Sequence, residues 1–184
     1  LHDVTLLGNS VGAAASVHAS LRSPRVGRIV SLSGFVSDPP HFGLLRPILA
    51  LMFARPWGAW LWGKYRRTLF ATPPADLEAN EAEVLAMVRE PGRLGAVSKM
   101  MRATKAGVTA RLAEVEVPAL VAMGAEDPDF DDPAAEAKRQ AELLGGDNAI
   151  VMLEGAGHYP QIETPEATAA AVVAFIGKAQ NDGA

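Results

Sequence analysis

Three short stretches hold residue types that do chemistry together. Gly8-Asn9-Ser10-Val11-Gly12 sets a serine in a G-x-S-x-G pattern. Gly124-Ala125-Glu126-Asp127 sets a carboxylate just past a glycine, and Gly155-Ala156-Gly157-His158 sets an imidazole behind two glycines. A hydroxyl is a weak nucleophile until a base takes its proton, and the base keeps its tautomer when a carboxylate holds its far nitrogen. Serine, acid and histidine are the members of such an acyl-transfer system. With 17 glycines in 184 residues, roughly 0.07 chance occurrences of G-x-S-x-G are expected. The motif is a signal, and its placement decides its weight.

Other groups compete for these roles. Asp129 is the alternative orienting acid, and Asp127 is preferred because it lies closer to the preceding apolar run. Asp127, Asp129, Asp131 and Asp132 begin like a calcium loop. Position six is Asp132 rather than glycine and position twelve is Lys138 rather than glutamate, which argues against calcium. Asp132 before Pro133 reads as a helix cap. His2, His18 and His41 carry no supporting pattern. The chain has no cysteine, which excludes disulfides, thiolate metal sites and a cysteine nucleophile. No metal and no cofactor are expected.

The elements that must position these residues follow from hydropathy. Val4-Thr5-Leu6-Leu7, Arg28 to Leu32, Pro118 to Met123 and Ala149 to Leu153 are short apolar runs, the form of strands buried on both faces. Val11 to Leu21 is rich in small residues and reads as a helix close to a sheet. Asp132-Pro133 and Thr164-Pro165 open two further helices, the first reaching about Leu144 and the second covering Ala167 to Ile176. The tail from Lys178 to Ala184 is expected to fray. Strands alternating with helices predict a parallel sheet. Between residues 37 and 116 prolines punctuate helical segments and no strand pattern stands out, so this part reads as a helical insertion.

In an open parallel sheet, ligands bind beyond the carboxyl ends of the strands. Ser10, Asp127 and His158 each fall just past a predicted strand end, so the topology brings them to one edge. Here the chain resembles the α/β-hydrolase superfamily, and more narrowly the capped serine hydrolases with Asn before the nucleophile. The resemblance implies a parallel, doubly wound sheet with a helical cap. Residues 1–36 would form the first part of the core with the nucleophile elbow, 37–116 the cap, and 117–184 the second part with the acid and the histidine. It implies Ser10 as nucleophile, Asp127 as acid, His158 as base and the Val11 N–H as one oxyanion donor. Serine at the elbow argues against the dehalogenases and epoxide hydrolases, which carry Asp there.

The resemblance covers only the later part of that fold. The N-terminal strands and the loop that gives a second oxyanion donor are not in the chain. It is therefore expected to be the C-terminal part of a longer hydrolase, with an apolar sheet edge at the Ser10 strand, poor solubility and little turnover if made alone.

The expected activity is carboxylester hydrolysis on a small or medium apolar ester. Carbon–carbon bond hydrolysis and perhydrolase activity use the same triad and remain open, as does a non-catalytic ligand-binding protein or an inactive fragment. Phe53, Trp57, Trp60, Trp62 and Phe70 fall in the cap. Most are expected to pack it onto the body, while Asn9, Trp57, Trp60 and Trp62 are candidates to touch substrate over Ser10. A net charge of −4 gives no basic footprint for nucleic acid. Arg46, Pro47, Arg55 and Pro56 interrupt the longest apolar stretch, so no stable membrane insertion is expected.

Overall fold

The computed structural model describes residues 1–181. Four parallel strands, β1 (Val4–Asn9), β2 (Val26–Leu32), β3 (Ala119–Gly124) and β4 (Asn148–Leu153), lie in the order β1-β2-β3-β4. Successive strands are neighbours, so every chain crossing runs over a face of the sheet and all four carboxyl ends share one edge. Helix α1 (Val11–Ser20) connects β1 to β2.

The crossing from β2 to β3 is long and helical. It holds α2 (Phe42–Met52), α3 (Gly58–Thr68), α4 (Leu77–Arg89), α5 (Arg93–Met101), the short α6 (Ala106–Thr109) and a 3₁₀ turn at Leu112–Glu114. Helix α7 (Pro133–Leu143) joins β3 to β4, and α8 (Pro160–Glu163) and α9 (Pro165–Asn181) close the described chain. Asp132 caps α7 by accepting from the Ala135 N–H at 2.9 Å. The last helix extends past Ile176 to Asn181, through the first part of the tail expected to fray. Residues 182–184 of the tail expected to fray lie outside the described part.

Alternate residues of the strands face opposite sides, and each side has its own core. Ile29, Ala119, Val121 and Met123 pack under Ala13 and Val17 of α1 and Ala137 of α7. Val30, Leu32, Leu120 and Ala122 pack on the other side against Val172 and Phe175 of α9. Helices therefore cover both faces, and β3, flanked by β2 and β4, is buried at every residue. This explains its unbroken apolar run. The cap has a small core of its own around Ala59, Val88 and Leu94. Strand β1 pairs only with β2 among the described residues, and Leu7 on it is 52% exposed. No helix of the described residues is long and apolar enough to cross a membrane.

Candidate active site

The turn between β1 and α1 is tight. Ser10 sits at φ 57°, ψ −125°, a conformation few non-glycine residues adopt and one that costs of order 1–3 kcal/mol. Its hydroxyl caps no N–H of α1 and lines a cavity of about 420 Å³ above the sheet edge. Gly8 is required here by space, since a Cβ would lie 2.2 Å from the Gly12 carbonyl oxygen. Gly12 meets no such limit, as nothing lies within 4 Å of a Cβ there. Val11, in the first turn of α1, also lines the cavity, and the N–H groups of a first turn have no intrahelical acceptor.

Asp127 and His158 meet from the ends of β3 and β4. Nδ1 of His158 lies 2.9 Å from Oδ2 of Asp127, with both side chains almost fully buried. Asp127 Oδ1 accepts from the Asp129 N–H at 3.0 Å, so both carboxylate oxygens are engaged. The loops pack closely: a Cβ at Gly124 would meet the Gly157 carbonyl oxygen at 2.0 Å, and one at Gly157 the Leu69 carbonyl oxygen at 2.5 Å. The glycines around the acid and the histidine thus let the two loops touch.

The His158 main chain is held at both ends. Its N–H donates to the Leu69 carbonyl at 2.8 Å, from the exit of α3, and its carbonyl accepts from the Asn9 side chain at 2.9 Å. The Glu163 carboxylate accepts from the N–H groups of Ala71, Thr72 and Tyr159, binding the cap exit to the histidine loop. The Phe35 ring lies against the imidazole with centroids 5.4 Å apart, while the Phe35 N–H donates to the Ser10 carbonyl. Ser10 and His158 both line one cavity, and the hydrogen bond of the imidazole is the one to Asp127, with none to the Ser10 hydroxyl.

A second carboxylate stands behind the ring. Asp129 Oδ2 is 3.6 Å from His158 Nδ1, and both Asp129 oxygens accept from the Tyr65 hydroxyl at 3.0 Å. Burial, with smaller help from the Asp127 charge, holds the Asp129 carboxyl above the usual aspartate range against the lowering effect of His158 and Tyr65. Burial, with the Asp129 charge, likewise raises the Tyr65 phenol, so it stays a donor. Asp127, Asp129 and His158 offer ligand atoms within 4.8 Å of one another and are the residues among those described that could hold a cation. Their contacts with Tyr65, with the Asp129 N–H and between imidazole and carboxylate already use much of that donor set.

The cavity wall is mostly apolar, with Phe35, Phe42, Leu45, Leu49, Trp62 and Met100 among its residues. Of the expected substrate contacts, Trp62 and Asn9 lie on it. Asn9 spends its amide on the carbonyls of Leu32 and His158, which makes it a strut between loops. Trp57 and Trp60 stand outside the cavity, 45% and 58% exposed. Trp57 binds the Leu51 carbonyl through its indole N–H, and Trp60 lies beneath the Lys64 ammonium on the outer side of α3. His41 is exposed and off the cavity. Phe35, Tyr65, Lys105 and Tyr159 join the site without a motif to announce them. Only the topology, which returns residues after β2 and α5 to the same edge, could have pointed to them.

The alpha/beta hydrolase family model matches residues 1–171. Among solved structures the chain is similar to MGS-M2, an alpha/beta hydrolase enzyme from a Medee basin deep-sea metagenome library. The TM-score is 0.77 at 16% identity, over 95% of this chain and 65% of that one. It is similar to a hydrolase from Pseudomonas aeruginosa PA01 at 26% identity and TM-score 0.70, covering 93% and 63%. A thermophilic esterase from Thermogutta terrifontis matches at 21% identity and TM-score 0.68, covering 96% and 65%. The chain thus spans just under two thirds of the length of these relatives. No curated protein sequence matches it.

Proposed function

Because the chain belongs to the alpha/beta hydrolase family, we propose that the protein is a serine hydrolase, most simply a carboxylesterase. In this reading Ser10 is the nucleophile, His158 the general base and Asp127 the acid that orients it. The observation that carries it is the buried 2.9 Å contact between Asp127 and His158 Nδ1, on a cavity wall shared with the strained Ser10.

The chemistry then runs in two halves. As Ser10 Oγ attacks the ester carbonyl, its proton passes to Nε2 of His158, and Asp127 stabilises the imidazolium through Nδ1–H. The tetrahedral oxyanion is met by the Val11 N–H at the positive end of α1. Collapse breaks the bond to the alcohol oxygen, which leaves with the proton from His158. Water, deprotonated by the same imidazole, then attacks the acyl-serine and returns Ser10 and the free acid. Serine–histidine contacts are commonly loose before substrate arrives and tighten in the complex. The apolar walls suit an ester whose acyl group is a chain or ring of modest size.

The test is covalent labelling. A fluorophosphonate probe followed by peptide mass mapping should mark Ser10, and Ser10→Ala or His158→Ala should abolish the label. A label retained in Ser10→Ala, or none on the folded protein, would overturn the assignment.

A further inference from the structure

One charged side chain lines the apolar cavity away from the acid–histidine pair. Lys105, at the start of α6, is 9% exposed. Its ammonium lies over the rings of Phe42 and Phe35, at 5.0 and 5.8 Å from their centroids, and both rings are cavity walls. The nearest counter-charge is Asp38 Oδ1 at 3.8 Å, beyond hydrogen-bond reach. That carboxylate is engaged elsewhere: Oδ1 accepts from the Lys105 main-chain N–H at 2.9 Å and Oδ2 from the Thr104 hydroxyl. Aromatic faces stabilise a cation but accept none of its protons as an oxygen does. Asp38 is thus the ion-pair partner of the ammonium at 3.8 Å, and the ammonium makes no hydrogen bond within 3.5 Å among the described residues.

Burial alone would not hold such a group in place. Desolvation lowers the Lys105 affinity for its proton, and Asp38 opposes this. Beyond its ion pair with Asp38 the ammonium has donor capacity to spare on the cavity wall, and an oxygen ligand entering there would gain a charge-assisted hydrogen bond. In a low-dielectric cavity such a ligand gains more from the charge than it would in water. The Lys105 backbone is tied to Asp38, so the cation is already positioned.

We propose that Lys105 is an anion-accepting subsite of this cavity, and that the substrate carries a carboxylate separated by an apolar stretch from the ester carbonyl presented to Ser10. This rests on the hydrolase reading for the word substrate; the subsite itself stands on the cavity and the cation. It gives the apolar pocket a polarity: walls select length and shape, and Lys105 selects the charged end.

Binding and turnover test the two ideas separately. In the Ser10→Ala protein, calorimetric titration with 4-phenylbutyrate and with the neutral 4-phenylbutanamide should show the carboxylate binding about 10- to 100-fold tighter, the range of a charge-assisted hydrogen bond. Adding Lys105→Met or Lys105→Gln should erase that preference and leave amide affinity within about twofold. In the wild-type protein the monoester p-nitrophenyl hydrogen adipate should show a lower KM than p-nitrophenyl hexanoate. Equal affinity of acid and amide for the Ser10→Ala protein would overturn the subsite, as would a preference surviving both lysine variants. A carboxylate preference in a protein that cleaves neither ester would keep the subsite and sink the hydrolase reading. Cleavage of both esters without preference would do the reverse.

Discussion

The side chain of Asn9 donates to the main-chain carbonyl of His158 at 2.9 Å, linking residues 149 positions apart. Its second contact, to the Leu32 carbonyl at 3.0 Å, anchors the same amide to the end of β2. One planar group thus fixes the spacing between the serine turn and the histidine loop. The residue before Ser10 lines the cavity, where the sequence suggests a substrate contact, and also acts through position.

Asn9→Ala therefore leaves the His158 carbonyl without its donor, while the Leu32 carbonyl keeps the Ser10 N–H, a change of about 1–3 kcal/mol for such a group. We expect a lower denaturant midpoint together with a lower kcat on p-nitrophenyl butyrate. Asn9→Asp should fare worse, because a carboxylate cannot donate and would face two carbonyl oxygens. Unchanged stability and turnover in both variants would show that the strut holds nothing.

The two glycines of the serine motif should respond in opposite ways. Gly8→Ala forces a methyl against the Gly12 carbonyl, a backbone atom that cannot swing aside, and overpacking of this kind costs about 1–3 kcal/mol or more. Gly12→Ala meets open space in the first turn of α1, where alanine is favoured over glycine by up to ~1 kcal/mol. Thermal melts of the pair decide it. Equal losses would mean that the turn needs both glycines.

The sheet and the places of Ser10, Asp127 and His158 just past its strand ends were readable because both rest on local signals. A fully buried parallel strand such as Ala119–Gly124 has to be apolar throughout, and a serine at a sharp strand–helix turn needs a glycine at its closest approach. Strand ends then placed Asp127 and His158 by topology alone. The cavity walls were not readable, because no periodicity distinguishes Trp62, which faces the cavity, from Trp60, which faces out two residues earlier on α3. Lys105 and Tyr65 were hidden for the same reason. Each acts through a partner, Asp38 or Asp129, that is distant in the chain, and the helical spacing of the cap says nothing about which side meets the sheet edge.

Two carboxylates stand near Nδ1 of His158, and their distances rank them. Asp127 at 2.9 Å holds a hydrogen bond, while Asp129 at 3.6 Å does not and has the Tyr65 phenol as its own donor. Asp127→Asn should lower kcat by about 10⁴-fold, as loss of the orienting acid does in related chemistry. Asp129→Asn should cost far less. A reversed order in single-turnover acylation rates would transfer the orienting role to Asp129.

Asp129 also makes a prediction about stability and pH. Burial above all holds its carboxyl above the usual value, so the folded protein binds that proton more tightly than the unfolded chain. The stabilisation this brings is present below the unfolded value, near 3.9, and is lost as pH rises through the higher folded value. Asp129→Asn carries no such titration. The wild-type melting temperature should accordingly fall relative to that of the variant as pH rises from about 4. Tyr65→Phe removes a donor that favours the ionised carboxylate, which pushes the folded value further up and carries the fall to higher pH. A wild-type advantage that grew with pH would mean that Asp129 is stabilised as the anion by His158, and that burial is the weaker influence.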